Sequence, residues 1–253
     1  MIGWSGSDNN DNTGTGSYGA CCAEMDLWEA NSISTAYTPH TCADEGQTRC
    51  DSDVSCGTGA GNRYAGVCDK DGCDFNPYRQ GNRTYYGPSE EFVVDTTREF
   101  TVVTQFLTAD GTEDGDLIEI RRLYVQDGEV IANAVSNVEG IDAGDSLTDE
   151  FCAQQKEVFI DTNGFEARGG MAGMGDAFQR GMVLVMSIWN DYEARMLWLD
   201  SVAYPIDADP SVPGVARGTC PTDSGVPEEV EAQYPDATVV LSDIRYGPLD
   251  STY

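Results

Sequence analysis

The sequence predicts an all-β protein, an antiparallel sandwich with long loops and a few short helices. Segments rich in β-branched and aromatic residues recur along the chain, and Gly, Asp or Pro bounds them. Two of these segments flank Asp127-Gly128, a dipeptide typical of a tight hairpin turn. Many strands with few helices favour a sandwich over a parallel α/β sheet. The predicted strands are 90–97, 99–108, 116–126, 129–135, 181–189, 195–204 and 237–246.

Short helices are predicted at 148–158, 171–180 and 227–233. The first two begin at acidic or polar residues, and the third begins with a proline followed by two glutamates. The length of 253 residues is enough for one large domain with a substantial core, or for two small ones.

The charge of the chain excludes some classes of partner. It carries 14 basic and 44 acidic side chains, a formal net charge of -30. Such a surface repels phosphate backbones and anionic lipids, so we expect neither nucleic acid nor a membrane as partner. A soluble, solvated surface explains this charge, and adaptation to high salt is the sharper alternative.

Nine cysteines are unusual for a cytosolic protein, and several lie in short loops. Their spacings do not form paired C-x2-C knuckles and His40 is the only histidine, which argues against zinc. Disulfides formed in an oxidising compartment fit better. The glycosylation acceptor at 82–84 agrees with secretion. The odd number predicts either a free thiol or partners outside this sequence.

Three carboxylates crowd into the strand-like stretch "CCAEMDLWEANS". Alternation along a strand places Glu24, Asp26 and Trp28 on one face. Glu29 then falls on the opposite face, unless one extra residue at Leu27–Trp28 bulges the strand. Bulges are common beside active sites, and a bulge here brings the three carboxylates to one surface.

Paired carboxylates on one surface can perform retaining glycoside hydrolysis. One attacks the anomeric carbon, and the other protonates the leaving oxygen and then deprotonates water, with about 5–5.5 Å between them. Repulsion between like charges raises one pKa and keeps the acid protonated. The competing interpretation is a solvated strand edge, because the pattern alone is weak in so acidic a chain. Trp189 and Trp198 likewise fit either sugar stacking or core packing.

The stretch "GACCAEMDLWEANSISTAYTPHTC" resembles glycoside hydrolase family 7, the secreted cellulases. Further segments follow in family order, among them "NRYAGVCDKDGCDFNPYRQGN", "DTTREFTVVTQF", "GMVLVMSIWNDY", "GVARGTC" and "SDIRYGP". The resemblance runs from about Gly3 to Thr252. It implies a concave β-jelly-roll sandwich with a long cleft for cellulose or cello-oligosaccharides. It also implies a secreted, extracellular monomer without a cofactor or metal.

The resemblance assigns roles residue by residue. It implies that Glu24 is the nucleophile, Glu29 the acid/base, and Asp26 the carboxylate that positions the nucleophile. His40 matches a histidine near the reaction centre, and a purely structural histidine is the alternative. The residues that match substrate-binding positions of the cleft and product side are His40, Arg63, Asp71, Asp74, Arg79, Trp189, Trp198 and Arg217.

The resemblance also implies how the cysteines pair. The implied disulfides are Cys42–Cys68, Cys50–Cys56 and Cys73–Cys152. Three further cysteines match family cysteines whose partners lie earlier in the family chain: Cys21, Cys22 and Cys220. Residues 1–253 are therefore expected to be the C-terminal portion of one catalytic domain, with no binding module or linker. The sandwich is expected to be incomplete at its N-terminal side, and activity to need the full-length form.

Loop lengths favour a cellobiohydrolase, which releases mainly cellobiose from chain ends by retaining hydrolysis of β-1,4-glucosidic bonds. The stretch between Cys42 and Cys73 and the loop "PIDADPSVPGVARGTC" match that class, whereas family endoglucanases are abbreviated at both places. One departure is the loop "GTGAG" (57–61), which lacks the tyrosine that often closes the tunnel. An endo-β-1,4-glucanase of the same family and a non-catalytic carbohydrate-binding sandwich are the alternatives.

Overall fold

The computed structural model describes residues 5–6, 14–15, 18–59 and 61–253. Strands predominate over short helices, which confirms the all-β class. The described strands are β1 (Ser5–Gly6), β2 (Gly14–Thr15), β3 (Gly19–Cys21), β4 (Glu24–Ala30), β5 (Thr35–His40), β6 (Thr48–Cys50), β7 (Tyr86–Gly87), β8 (Val94–Asp95), β9 (Thr101–Thr108), β10 (Leu117–Gln126), β11 (Glu129–Ala132) and β12 (Ser146–Leu147).

The largest sheet is built around β10, which pairs antiparallel with β9, β11 and β12. Strand β10 buries every second residue from Ile120 to Gln126, as the period of two requires. The β10–β11 turn places Asp127 at φ 55° and Gly128 at φ 81°. Both turn residues are left-handed, as a type I′ turn demands, so the predicted hairpin is confirmed.

The core lies between this sheet, the β4–β5 hairpin and the helices. Phe75 stacks on Tyr37 at a centroid distance of 5.8 Å and on Phe151 at 5.2 Å. Met171 and Met174, from the helix α3 described below, are buried in the same cluster. Each aromatic pair contributes about 0.5–1.5 kcal/mol beyond its area burial. The core thus ties the β5 strand to the helical side of the molecule.

The three predicted helices are confirmed as α1 (Asp149–Val158), α3 (Gly170–Arg180) and α5 (Pro227–Gln233). Helix α1 begins after Thr148, whose hydroxyl accepts a hydrogen bond from the Phe151 amide. Two one-turn helices were not predicted, α2 (Gly164–Ala167) and α4 (Leu197–Asp200). Within the described ranges, no helix combines the length and the apolarity that crossing a membrane requires.

Three predicted strands are replaced or shortened in the structure. The predicted strand 129–135 ends at Ala132 as β11. The segment 195–204 is wrong as a strand, because it contains helix α4. Arg195 and Met196 enter that helix at φ 57° and 60°, which breaks an extended backbone. The predicted strand 90–97 is shortened to β8, since a turn occupies the residues before Val94.

The predicted strands at 181–189 and 237–246 are absent from the part of the chain that the structure describes. Val183 is 86% exposed and Tyr246 is 99% exposed. No backbone amide of 182–190 donates to a backbone carbonyl of another described residue. A strand exists only through its ladder of hydrogen bonds, so these segments have the pattern of strands without the pairing.

The disulfides Cys42–Cys68, Cys50–Cys56 and Cys73–Cys152 are present, which confirms the three implied pairs. Cys73–Cys152 joins the segment between β6 and β7 to helix α1, across a sequence separation of 79. Closing a loop of that length removes much entropy from the unfolded chain, about 4 kcal/mol in the loop-entropy model. Cys21, Cys22 and Cys220 form no disulfide with any other described residue.

Candidate active site

The strand β4 carries a bulge at the predicted place. It pairs antiparallel with β5, with Asp26 opposite Thr38 and Glu29 opposite Ala36. Three steps along β4 therefore match two steps along β5, which inserts one extra residue between Asp26 and Glu29. The bulge prediction is confirmed, and the extra residue returns Glu29 to the face that carries Glu24.

A buried arginine holds the bulge. The Nη2 of Arg122, on β10, donates a hydrogen bond to the carbonyl of Leu27, which lies in the bulged segment. The guanidinium carbon lies 4.6 Å from the centre of the Tyr37 ring, and the residue is 1% exposed. A bulge leaves one carbonyl outside the strand ladder, so Arg122 supplies the donor that the ladder lacks.

The only histidine of the chain faces the carboxylates. His40 ends β5 directly opposite Glu24, and its Nε2 lies 3.1 Å from Asp26 Oδ2. Its Nδ1 lies 3.2 Å from the carbonyl oxygen of Asp69. Gly72 closes over the ring, because a Cβ there would lie 2.9 Å from His40 Cε1. The imidazole is therefore fixed on three sides by Asp26 of β4, the Asp69 carbonyl and Gly72.

Two carboxyls of β4, those of Glu24 and Glu29, have pKa values raised above the usual range. Burial, together with the charge of Asp26, raises the pKa of Glu29 to about 8. Burial and then Asp26 also raise the pKa of Glu24, while the charge of His40 opposes both increases. A carboxyl with a pKa near 8 stays protonated at neutral pH, which suits a proton donor. Among the row of β4 carboxyls (Glu24, Asp26 and Glu29), Glu29 is thus the group best suited to donate a proton.

Beyond the carboxylates lies an exposed ion pair. Arg63 Nε donates to Asp71 Oδ1 at 2.6 Å, and Nη2 contacts the same oxygen. The side chain of Arg63 is 54% exposed, which leaves its outer face open to a ligand. The assignment of both residues to the substrate-binding positions of the cleft stays a prediction.

Each guanidinium nitrogen of Arg79 contacts an acceptor within the protein. Its Nη1 contacts Asp74 Oδ1 at 2.5 Å, its Nη2 contacts Asp161 Oδ2 at 2.7 Å, and its Nε donates to the Gly214 carbonyl. Its guanidinium also covers the ring of Phe159 at 4.4 Å. With a side chain only 3% exposed, Arg79 orients Asp74 and does not itself present donors to the solvent.

Trp198 and Arg217 lie together. Arg217 Nη1 donates to the Trp198 carbonyl at 3.3 Å, and Trp198 Nε1 donates to Asp191 Oδ2 at 3.1 Å. Burial, followed by repulsion from Arg79, lowers the pKa of Arg217 to about 10, so it remains charged at neutral pH. Trp189 is 54% exposed in the unpaired segment 181–190.

A buried amide joins these groups to the hairpin. Asn76 Nδ2 donates to Ser34 Oγ and to the Leu199 carbonyl, both at 3.0 Å. Ser34 Oγ in turn donates to the Leu199 carbonyl at 2.7 Å. Asn31, two residues beyond Glu29, donates to Asp200 Oδ2 at 2.7 Å. Helix α4, which carries Trp198, is therefore fixed to the turn between β4 and β5.

Sequence reasoning missed several residues of this site. Arg122 left a detectable signal, because alternation through Ile120 and Tyr124 places it on the buried face of β10. An arginine at a core position implies a specific acceptor. Asn76 and Asp161 left no such signal, since their partners Leu199 and Arg79 lie far away in the sequence. Asp191 bonds to Trp198 only seven residues on, but no strand or helix period links the two.

Comparison with known proteins agrees with this geometry. The sequence model described as "Glycosyl hydrolase family 7" matches residues 1–253. Among solved structures, a cellobiohydrolase from Daphnia pulex is 54% identical with a TM-score of 0.86, and the match covers 91% of this chain and 52% of that one. A cellobiohydrolase from Melanocarpus albomyces in complex with cellotetraose is 45% identical, also with a TM-score of 0.86, over 99% and 55% of the two chains.

An endoglucanase is also similar, though less so. The Humicola insolens endocellulase EGI is 38% identical with a TM-score of 0.70, over 86% of this chain and 48% of that one. This chain spans about half the length of the solved structures that it matches. The agreement of fold confirms the predicted β-jelly-roll class. The chain belongs to glycosyl hydrolase family 7.

Proposed function

We propose that residues 1–253 carry the catalytic carboxylates and the product side of a secreted, monomeric cellobiohydrolase. The reaction is retaining hydrolysis of β-1,4-glucosidic bonds in cellulose, with cellobiose as the main product released from chain ends. The bulge in β4 carries this proposal, because it aligns Glu24, Asp26 and Glu29 beside one another. A solvated strand edge needs neither the bulge nor the arginine that holds it.

Each carboxyl has a role that its surroundings support. Glu29, protonated at neutral pH, donates its proton to the glycosidic oxygen as the bond to the leaving sugar breaks. Glu24 attacks the anomeric carbon and forms the covalent glycosyl-enzyme. The Glu29 carboxylate then takes a proton from water, which attacks the same carbon and frees Glu24. Asp26 shares a proton with Glu24 and so positions the nucleophile.

The product side presents charged groups and a ring to a neutral sugar. Arg63, Asp71 and Arg217 offer charge-assisted hydrogen bonds to hydroxyls, and Trp198 offers a stacking face. Asp74 contributes a carboxylate oriented by Arg79. The crystal structure of the Melanocarpus albomyces relative with cellotetraose supports a cello-oligosaccharide as the ligand.

An endoglucanase is the second candidate. The TM-score of 0.86 with cellobiohydrolases against 0.70 with the endocellulase favours chain-end attack. The loop 57–61, which has no aromatic residue, favours a more open cleft. The ratio of soluble to insoluble reducing ends released from cellulose separates the two, since internal cuts leave most new ends on the fibre.

The decisive experiment compares two preparations. One is the 253-residue chain alone, and the other is a fusion in which it follows the N-terminal part of the Daphnia pulex cellobiohydrolase that it does not span. We expect hydrolysis by the fusion, and a loss of at least about 1000-fold in Glu24→Gln with an unchanged melting temperature. NMR of the first-formed anomer must show retention. Substantial turnover by the variant removes Glu24 from the nucleophile role.

The raised pKa of Glu29 predicts the alkaline limb of the pH–rate profile. Because the acid must hold its proton, kcat/KM of the fusion is expected to fall as pH rises through about 8. An aryl cellobioside with a good leaving group needs little protonation, so its glycosylation step should lose this limb. A limb that stays in place for such a substrate in single-turnover measurements contradicts the assignment of Glu29 as acid.

A further inference from the structure

His40 stands between two hydrogen-bond acceptors. One ring nitrogen faces the Asp26 carboxylate and the other faces the Asp69 carbonyl, at 3.1 and 3.2 Å. A carbonyl oxygen only accepts, and the Asp26 oxygen that faces the ring also accepts when the proton shared with Glu24 is bound to Glu24 or to the other Asp26 oxygen. A neutral imidazole has one N–H and satisfies one of them, whereas an imidazolium has two and satisfies both. The contacts of the ring therefore select its doubly protonated form.

The charges around the ring favour the same form. Glu24 and Asp26 face it from β4, the Asp69 carboxylate faces it from the loop after Cys68, and Glu29 feels its charge from beyond the bulge. Although burial acts to lower the pKa of His40, the hydrogen bond to Asp26 and these carboxylates raise it above its usual value. A cation in this place offsets part of the repulsion within the row.

We propose that His40 is a positioning residue that is held as an imidazolium. It bridges the Asp26 carboxylate and the Asp69 carbonyl. Its positive charge allows Glu24, the nucleophile, and Glu29, the acid, to ionise although other carboxylates lie close by. The inference rests on the proposed roles of Glu24 and Glu29. It differs from a sugar-binding role, because both ring nitrogens are occupied by the protein. It also differs from a purely structural role, because it assigns His40 a charge that the chemistry needs.

The protonation of His40 is directly measurable. It is the only histidine of the chain, so ring-¹⁵N NMR of the 253-residue chain shows one imidazole. The same titration on the fusion identifies His40 as the resonance that His40→Gln removes. We expect both ring nitrogens protonated at pH 6.5 in the folded protein, and a pKa above the ordinary 6.5. Asp26→Asn should lower that pKa, and the exposed Asp44→Asn should leave it unchanged.

A ring that titrates at or below 6.5 in a preparation with dispersed amide resonances overturns the proposal. So does a neutral ring with a single tautomer at pH 6.5. If the isolated chain lacks dispersed resonances, the fusion decides. Neither readout uses turnover, so an ordinary His40 in a fusion that hydrolyses cellulose defeats this inference and leaves the proposed function standing.

The pH profile gives the second test. His40→Gln keeps a neutral donor but removes the charge that lowers the pKa of Glu24 and Glu29. Both limbs of kcat/KM are therefore expected to move toward higher pH, by about half a unit or more. A higher KM with both limbs in place indicates a sugar contact and overturns the positioning role. A lower melting temperature with both limbs in place indicates a structural role and overturns it too.

Discussion

The β4–β5 hairpin and the apolar segments 181–189 and 237–246 have the same kind of sequence and opposite outcomes. Each is rich in residues that favour strands. In the hairpin, β4 finds its partner strand within a few residues, and Glu24 and Ala30 mark the ends of a pairing with β5 that only the bulge interrupts. The two segments pair with no other described strand and have exposed apolar side chains. Alternation of apolar and polar residues specifies which face of a strand each side chain occupies. It does not specify which other segment pairs with that strand.

The hairpin is also the region whose irregularity matters most. A regular β4 would point Glu29 away from Glu24, and the bulge corrects this at the cost of one unpaired carbonyl. Arg122 reaches across from β10 to satisfy it. Specific contacts with its neighbours therefore hold the hairpin, whereas the two segments leave many apolar side chains exposed.

The largest expected effect comes from breaking that support. In the fusion, Arg122→Met is expected to lower kcat by about 10–100-fold, because a carboxylate displaced by about 1 Å no longer meets the reacting atoms. Stability should change less, since the lost hydrogen bond is partly offset by the removal of a buried charge. Arg121→Met is the matched control, because Arg121 pairs with Glu119 on the half-exposed face. Full activity in Arg122→Met would show that the bulge needs no clamp.

Much of the hairpin was predictable from sequence, and the reason is local. The positions of Glu24, Asp26 and Glu29 require a bulge if they share a face, and the bulge lies where this argument puts it. The predicted helices and the Asp127-Gly128 turn are local in the same way. The resemblance added the disulfide partners, which no local pattern specifies.

The unpredicted features depend on distant partners. Helix α4 replaces a predicted strand although its residues are apolar and aromatic, because positive φ angles at Arg195 and Met196 turn the chain. The Asn76 network joins residues more than a hundred positions apart. A propensity or an alternation within a short window carries no information about such contacts.

A smaller effect tests the unpaired segments. Val185 is 77% exposed, and in the chain alone we expect Val185→Ser to change the free energy of unfolding by less than about 0.5 kcal/mol. In the fusion, which supplies the other half of the relatives' domain, the same change is expected to cost about 1–2 kcal/mol. Val103→Ser in β9, where Val103 is 7% exposed, should cost about 2 kcal/mol in both. Equal effects of Val185→Ser in both backgrounds would mean that its segment stays unpaired.

The smallest effect concerns charge, which acts on both regions alike. A net charge of -30 far exceeds the roughly 2–8 units that solubility of a small domain needs, and a neutral glucan exerts no attraction on it. The basic side chains near the site are already used in pairs such as Arg63–Asp71 and Arg79–Asp74, which leaves the excess acidic charge unbalanced.

Self-repulsion of that charge should ease as the Debye length falls from about 30 Å at 0.01 M salt to about 3 Å at 1 M. We therefore expect the fusion to keep its activity in molar sodium chloride. In both preparations, the melting temperature should rise by about 2–4 °C for each kcal/mol that screening adds to the free energy of unfolding. Sodium chloride is the right salt, since sulfate strengthens apolar burial by a separate mechanism. A melting temperature that stays flat or falls at fixed pH would show that the acidic residues are spread too thinly to repel, and would count against salt adaptation.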